Sequence, residues 1–305
     1  MFKYILKRLG IALLVALTVS IISFSLLYIS SDPAVAMAGE TASDEDIEAL
    51  RKLYGFDKPI YVQYFNWLAN ALKGNLGESF YFQMPVTELI VERLPTTMTL
   101  GVFAISFAII FAVPLGVAAA INPNSIIDRI ALFLSVMGQA LPSFWFALIL
   151  IFSLSVKLRI LPTSGSDTWY HFVMPTIVLG YYATPAIMRL TRTGMLEVLS
   201  SDYIRTARAK GLRPVVVLFK HSLRNAIIPV VSLAAVQFGF MLGGSIVVET
   251  IFALHGAGFL AWESIMRLDL PTVKGVILIF SLFYIILTLL ADILNAWLDP
   301  RIRIN

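Results

Sequence analysis

The sequence contains no cysteine, which excludes a disulfide, a thiolate metal site and a thiol nucleophile. Its three histidines, His171, His221 and His255, lie on different connections without the spacing of metal ligands. The GxSxG pattern of a nucleophile elbow and the GxxxxGK[ST] pattern of an ATP-binding loop are both absent. We therefore expect neither an enzyme nor a chain that binds ATP or a metal by itself.

Charge is also scarce, because Asp, Glu, Lys and Arg make up 14% of the chain. Hydrophobic residues make up 58%, compared with about 45–50% apolar residues in soluble domains, and the mean hydropathy is +0.84. Charge is absent from six runs, each of them long enough or nearly long enough to span a bilayer. The runs are 9–31, 97–121, 130–156, 172–188, 225–248 and 275–291. The sequence thus predicts an all-α integral membrane protein with six transmembrane helices.

The near absence of ionisable groups from these runs argues against a proton-driven or voltage-driven transporter. Asp292, beyond the sixth run, is interpreted as a polar contact at a helix end. Gln139 and Gln237 are uncharged polar residues inside spans, where neighbouring helices or water must satisfy them. They are candidates for lining a translocation path, and an interhelical hydrogen bond is the alternative. Gly239 and Gly243 form a GxxxG pattern, which permits close helix contact.

The chain divides into three parts. Residues 1–31 hold a basic tail and the first transmembrane helix, residues 32–94 form a polar subdomain, and residues 95–305 form a five-helix core. A signal peptide is the alternative for the first part, since Ala36-Met37-Ala38 is similar to a cleavage site, but the apolar run exceeds the usual 7–15 residues. Within the subdomain, Ser43 and Gly55 are the expected start and end of a helix.

One stretch of the core, residues 197–224, is unusually basic. Ser201 and Asp202 suit the start of a helix through Lys210, Gly211 suits its C′ position, and Pro214 suits the first turn of a second helix. Its Arg and Lys side chains would each cost about 2.5–3.5 kcal/mol at a bilayer centre, so this helix–Gly–helix elbow lies outside the bilayer. From composition alone it is either a docking site for another protein or an ordinary basic loop.

The distribution of Lys and Arg predicts the orientation of the chain. The segment from Arg189 to Arg224 carries eight of the 23 basic residues, and the N-terminal ten residues carry Lys3, Lys7 and Arg8. Short loops rich in Lys and Arg remain on the cytoplasmic side. Both termini and the elbow are therefore expected in the cytoplasm, and the net charge of +4 gives no reason to expect nucleic acid.

The elbow sequence DYIRTARAKGL, followed by HSLRNAIIPVV, resembles the "EAA" loop of ABC importer permeases of the dipeptide/oligopeptide/nickel group. Arg205-Thr206-Ala207 overlies the Glu-Ala-Ala core, although only Ala207, Gly211 and Leu223 match the general consensus. Other stretches that resemble this group are LYGFDKP at 53–59, GNLG at 74–77, RLPT at 93–96, LPTSG at 161–165, GGSIVVETIF at 243–252 and the tail DPRIR at 299–303. The chain departs from the group at Leu254-His255 and at Ser31-Asp32-Pro33.

This resemblance implies a type I ABC importer permease fold in the bacterial inner membrane, with a periplasmic subdomain between the first two helices. It implies four kinds of partner: a second homologous permease in a heterodimer, two cytoplasmic ATPase subunits that bind ATP and Mg, an extracytoplasmic solute-binding protein, and lipid. The elbow, 201–214, would contact the ATPase. The implied contact residues are Asp202, Tyr203, Arg205, Thr206, Ala207, Arg208, Ala209, Lys210 and Gly211.

The substrate expected from the resemblance is a small peptide. Nickel, glutathione-like compounds and opine or sugar derivatives are alternatives within the same importer class. A passive channel or a membrane anchor is the alternative from another class, and it would need no ATPase.

Overall fold

The computed structural model describes residues 2–30, 32–38 and 42–298, which leaves Ser31 and the family-like tail at 299–303 outside the described residues. The described ranges are nearly all helical. The helices are α1 (Phe2–Ser30), α2 (Pro33–Ala38), α3 (Asp44–Tyr54), α4 (Ile60–Ala71), α5 (Val86–Ile121), α6 (Ile126–Ala140), α7 (Ser143–Leu150), α8 (Tyr170–Leu199), α9 (Asp202–Ala209), α10 (Pro214–Val216), α11 (Arg224–Ala226), α12 (Ile228–Ile251), α13 (Ala257–Met266) and α14 (Leu270–Leu298). Two π-helical segments, Ile151–Lys157 and Val217–Leu223, continue α7 and α10.

Four helices of the described residues are long and apolar enough to cross a membrane. These spans are Lys3–Ser25, Val86–Ile121, Ile228–Ile251 and Leu270–Ala296. The predicted fourth run, 172–188, lies inside α8, which is 30 residues long and continues as far as the elbow. A helical membrane protein is thus confirmed, whereas four of the described helices, and not six, are both long enough and apolar enough to cross a membrane.

The third predicted run, 130–156, is broken near its middle. The α6 helix ends at Ala140, Leu141 has an extended backbone with ψ 124°, and α7 begins at Ser143. Pro142 accounts for the break, because proline lacks an N–H group and disfavours the helical conformation of the residue before it. The expected single span is therefore two shorter helical segments.

The core is built around the pair α5 and α8, which pack closely because both carry small residues at the contact. Ala104, Ala108 and Ala112 of α5 recur at helical spacing and are fully buried. A Cβ atom added at Gly180 of α8 would lie 2.6 Å from the carbonyl oxygen of Ala104, and one at Gly116 of α5 would lie 2.7 Å from the carbonyl oxygen of Met188. The two helix backbones thus touch at two places.

The predicted GxxxG contact of α12 forms at one of its two glycines. A Cβ atom at Gly239 would lie 2.5 Å from Cδ2 of Tyr284 in α14, whereas a Cβ atom at Gly243 would meet nothing within 4 Å. Gly239 therefore permits a close helix contact and Gly243 does not take part in it.

Gly180 and Gly243 give a matched test of the helix packing, because an added Cβ atom would meet the backbone of α5 at Gly180 and open space at Gly243. We expect Gly180→Ala to destabilise the protein by about 1–3 kcal/mol, since the added methyl group collides with backbone atoms. Gly243→Ala should be neutral or stabilise by up to about 1 kcal/mol, because alanine favours a helix and the space is open. The measurement is the apparent unfolding midpoint of the detergent-purified chain. Equal midpoints for the two variants would contradict the close contact.

The polar subdomain consists of α2 to α4 and the loop that follows them. The α3 helix begins after Ser43, whose side chain accepts a hydrogen bond from the N–H of Asp46, and ends at Gly55 with φ 71°, as predicted. The loop is held to the core because Asp269, which is fully buried, accepts hydrogen bonds from Ser79 Oγ (2.6 Å) and Phe80 N (2.9 Å). The boundary predicted between residues 94 and 95 falls inside α5.

Candidate coupling elbow and transmembrane cavity

The elbow has the predicted helix–Gly–helix geometry. Ser201 has an extended backbone, α9 follows it, and Gly211 has φ 73°, a conformation that glycine adopts without a steric cost. The N–H of Gly211 donates to the carbonyl of Arg208 (3.0 Å) and that of Leu212 donates to the carbonyl of Ala207 (3.4 Å), which ends the helix. Pro214 then occupies the first position of the next helix. The predicted elements and their order are confirmed.

The inner side of the elbow is apolar. Ile204 of α9 is fully buried, and it forms a cluster with Ala207, which is 8% exposed, and Val217. Partly buried Val198, near the end of α8, packs against this cluster. Ala207, one of the implied contact residues, therefore packs inside the elbow and is not part of its exposed surface. A bulky residue at this position would disturb the elbow before it disturbed any partner.

The outer side of the elbow combines positive charge with exposed apolar groups. The other predicted contact residues are all exposed, and Arg205 forms an ion pair with Asp202. Tyr203, Leu212 and Val215 are 45%, 39% and 65% exposed. We call this surface the elbow face, and it comprises Asp202, Tyr203, Arg205, Thr206, Arg208, Ala209, Lys210, Gly211, Leu212 and Val215. Apolar anchors next to Arg are typical of protein interfaces.

Gln139 and Gln237, which are nearly a hundred residues apart, line one cavity of about 480 Å³. The cavity lies between α6, α7, α8 and α12, beside the break at Leu141 and Pro142. Its lining residues are Gln139, Ser143, Val178, Leu179, Tyr182, Gln237, Phe240, Gly244 and Val248. Amide and hydroxyl groups thus project from an otherwise apolar wall, and no charged side chain of the described residues lines it.

Arg189 of α8, which sequence reasoning did not assign to this site, holds Gln139 in place. Its Nη1 donates to Gln139 Oε1 (3.2 Å) and to Ser135 Oγ (3.1 Å), so α8 is tied to α6 next to the cavity. Gln139 therefore makes an interhelical hydrogen bond and also lines the cavity. The two interpretations of this residue are compatible.

A buried carboxylate at Glu249, also missed, joins three helices. Glu249 is fully buried in α12, and its Oε1 accepts from Thr97 Oγ1 of α5 (2.7 Å) while its Oε2 accepts from the N–H of Phe259 in α13 (2.8 Å). A Cβ atom at Gly256 or Gly258 would lie only 2.4 or 2.9 Å from Oε2, so both glycines make room for the carboxylate. The sequence signal was an acid at the end of an apolar run, followed closely by Gly-x-Gly.

Two other acids of the helices, Asp128 and Asp292, are also paired with arginine. Asp128, at the start of α6, receives two hydrogen bonds from Arg192 of α8, from Nε (2.6 Å) and from Nη2 (2.7 Å). Asp292 of α14 lies 3.0 Å from Arg8 of α1, which agrees with a polar contact at a helix end. No group of three or more His, Asp or Glu residues placed to hold a metal ion occurs in the described part of the chain.

Apolar helices around an uncharged cavity, with a basic elbow at the end of one of them, are the features expected of a membrane transport subunit. Comparison with known families agrees. Residues 112–304 match the family described as binding-protein-dependent transport system inner membrane component, and residues 1–101 match its N-terminal part. The chain belongs to this family. It is a permease subunit of an ABC importer, a multi-pass membrane protein and not an enzyme.

Individual relatives and solved structures are consistent with this assignment. The chain is 41% identical over 304 residues to the glutathione transport system permease protein GsiC of Pectobacterium atrosepticum, and 39% identical to GsiC of Escherichia coli K12, with 99% of each chain covered. The inward-facing MetNI methionine ABC transporter matches at TM-score 0.59 and 18% identity, over 69% of this chain and 96% of that chain. An amino acid ABC transporter matches at TM-score 0.51 and 17% identity, over 70% and 94%.

The two residues at which the chain departs from the family pattern after α12, Leu254 and His255, differ in their exposure. Leu254 is fully buried in the main core cluster, whereas His255 is exposed and its ring lies 5.5 Å from that of Phe259. Of these two residues, His255 is the one that is exposed at the surface.

Proposed function

We propose that this chain forms half of the translocation path for small peptides, with glutathione-like compounds included, and that the cavity at Gln139 and Gln237 is part of that path. The observation that carries the proposal is that two uncharged amides from distant helices line one cavity beside a broken helix. Discontinuous membrane helices mark substrate sites in transporters, because the broken backbone can face a polar cavity. Amide and hydroxyl groups suit the backbone of a peptide, and the relatives named above are glutathione permeases.

The membrane arrangement that we propose has six crossings: α1, α5, the broken pair α6 and α7, α8, α12 and α14. The N-terminal tail, the 122–125 turn, the elbow and the C-terminus then lie in the cytoplasm, while α2 to α4 and α13 lie in the periplasm. This order places the basic segment from Arg189 to Arg224 inside, in agreement with the positive-inside rule.

The elbow face is the proposed contact with one of two cytoplasmic ATPase subunits, which would bind ATP and Mg. A second homologous permease would complete the path, and a solute-binding protein would deliver the substrate. ATP binding selects the conformation in which the ATPase pair closes, and the permease follows because its elbow stays bound.

The test of the path replaces both amides, as Gln139→Leu with Gln237→Leu. We expect uptake of labelled glutathione to fall by about tenfold, since two hydrogen bonds of about 0.5–1.5 kcal/mol each are lost. Thr288→Val is the matched control, because its hydroxyl is buried in α14 without a hydrogen-bond partner among the described residues. Competition by dipeptides, nickel and opines in the same assay ranks the possible substrates.

Unchanged uptake and unchanged substrate preference in the double variant would exclude these residues from the path. Recovery of ATPase subunits with the variant is measured in parallel, so that a failure of assembly is not mistaken for a change in the cavity.

A further inference from the structure

A second, larger cavity of about 810 Å³ lies away from the proposed path, between the polar subdomain and the ends of α1 and α14. Its walls come from α1, the end of α3 with the loop after it, α4 with the loop after it, and the start of α14. The lining residues used below are Phe24, Asn66, Trp67, Asn70, Asn75 and Lys274.

Lys274 is a buried cation in this cavity. It is 8% exposed, and its Nζ lies 4.9 Å from the centre of the Trp67 ring and 5.5 Å from that of the Phe24 ring. None of the ion pairs found among the described residues includes Lys274. The two rings cover one side of the ammonium group by cation–π contact, but an ammonium group has three N–H donors.

Trp67 contributes a second donor without an acceptor. Its Nε1 is buried and has no hydrogen-bond partner in the part of the chain that the structure describes. Buried donors are nearly always satisfied, because each one left unmet costs about 1–3 kcal/mol. Trp67 Nε1 and the ammonium group of Lys274, which forms no ion pair with the described residues, therefore line the same cavity together with the exposed Lys58 and Glu78. An anionic acceptor between Trp67 and Lys274 would satisfy both donors. The side chains of Asn66, Asn70 and Asn75 line the cavity too and offer further N–H donors.

The location of the cavity identifies the source of the anion. Phe24 lies in the last two turns of α1, which ends at Ser30, and Lys274 lies in the first two turns of α14. Both ends adjoin the polar subdomain, so the cavity is at the level of one membrane surface, where lipid phosphates lie. Trp residues with a polar edge are typical of this level.

We propose that this cavity binds the phosphate of an anionic phospholipid head group, through Lys274 Nζ and Trp67 Nε1. Bound lipid would join α1 and α14 to the subdomain, which is a role beyond the transport path. The shared chemistry is a phosphate anion, and a soluble phosphate ester is the other source that the same donors would accept.

The experiment uses the detergent-purified assembly that contains the full chain. Its apparent unfolding midpoint is measured with added phosphatidylglycerol, with zwitterionic phosphatidylcholine and with glycerol 3-phosphate. We expect phosphatidylglycerol to raise the wild-type midpoint by at least about 3 °C. Lys274→Met should abolish this rise, and Trp67→Phe should reduce it while keeping the ring. Lys73→Met, at an exposed lysine of the same subdomain, is the matched control.

Native mass spectrometry counts the phosphatidylglycerol molecules that remain bound. This count does not depend on the unfolding midpoint, so it still tests lipid binding if a variant is less stable. Loss of one bound lipid in Lys274→Met, with retention in Lys73→Met, supports the proposal. An equal rise with glycerol 3-phosphate supports the anion site and assigns it to a soluble phosphate. Lipid retention and midpoint shifts that do not depend on Lys274 would overturn it, and they would leave the proposed transport function untouched.

Discussion

Gly211→Trp is expected to remove the ATPase subunits from the purified permease. Gly211 has φ 73° and a Cβ atom there would meet nothing within 4 Å, so the indole projects outward from the elbow face. A bulky side chain at the centre of a protein interface should weaken binding by about tenfold or more, equivalent to 1.4 kcal/mol. The measurement is the amount of ATPase that co-purifies with the tagged permease.

A matched control separates loss of docking from strain in the turn. Gly74 has φ 85°, open space around its Cβ position, and the same hydrogen bonds at the end of its helix, from Gly74 N to Ala71 O and from Asn75 N to Asn70 O. Gly74→Trp therefore carries the same backbone cost, about 1–2 kcal/mol, in the subdomain. Gly211→Asn tolerates the turn without the bulk. Equal ATPase recovery with Gly211→Trp and Gly74→Trp would refute docking at the elbow face.

Glu249→Leu is expected to lower strongly the amount of folded chain that can be extracted from the membrane. The carboxylate satisfies the hydroxyl of Thr97 and the N–H of Phe259, and leaving two buried donors unmet costs about 2–6 kcal/mol. Total stabilities are only about 5–15 kcal/mol. The measurement is the monodisperse peak of a fluorescent fusion in size-exclusion chromatography, before and after heating.

The thermal stability of Glu249→Gln should lie between those of the wild type and Glu249→Leu. Its amide oxygen can still accept from Thr97, while its amide nitrogen would face the N–H of Phe259. Glu92, exposed on α5, provides the matched pair Glu92→Gln and Glu92→Leu, which should shift stability by no more than about 0.5 kcal/mol. A wild-type thermal profile for Glu249→Leu would show that the buried carboxylate does not hold the three helices together.

The elements that could be predicted from the sequence rest on local signals. The helix–Gly–helix geometry of the elbow is confirmed because Ser201, Gly211 and Pro214 each favour one backbone conformation at their own position. Gln139 and Gln237 share a cavity because apolar spans direct their few polar groups toward other helices. Pro142 is an equally local signal for the break in the third run, but the absence of charge alone does not reveal such a break.

The features that could not be predicted depend on contacts between distant parts of the chain. Glu249 is satisfied by a threonine from α5, and Lys274 lies against Trp67 of the subdomain, so no pattern within one segment indicates either arrangement. The position of Ala207 on the inner side of the elbow could have been predicted, because Ile204 and Ala207 are three residues apart and share a helix face.

The close contact between α5 and α8 indicates that the cavity between α8 and α12, and not the space between α5 and α8, would change width during transport. Their backbones meet at Gly180 and again at Gly116, so we expect the two helices to move as one body. The cavity lies on the opposite side of α8, toward α12. The α8 helix continues through Pro185 for 20 residues from Gly180 to Leu199, a rise of about 28 Å at 1.5 Å per residue, so we expect it to act as a lever. A displacement of a few ångströms at the elbow would tilt both helices and open or narrow the cavity without any change inside the pair.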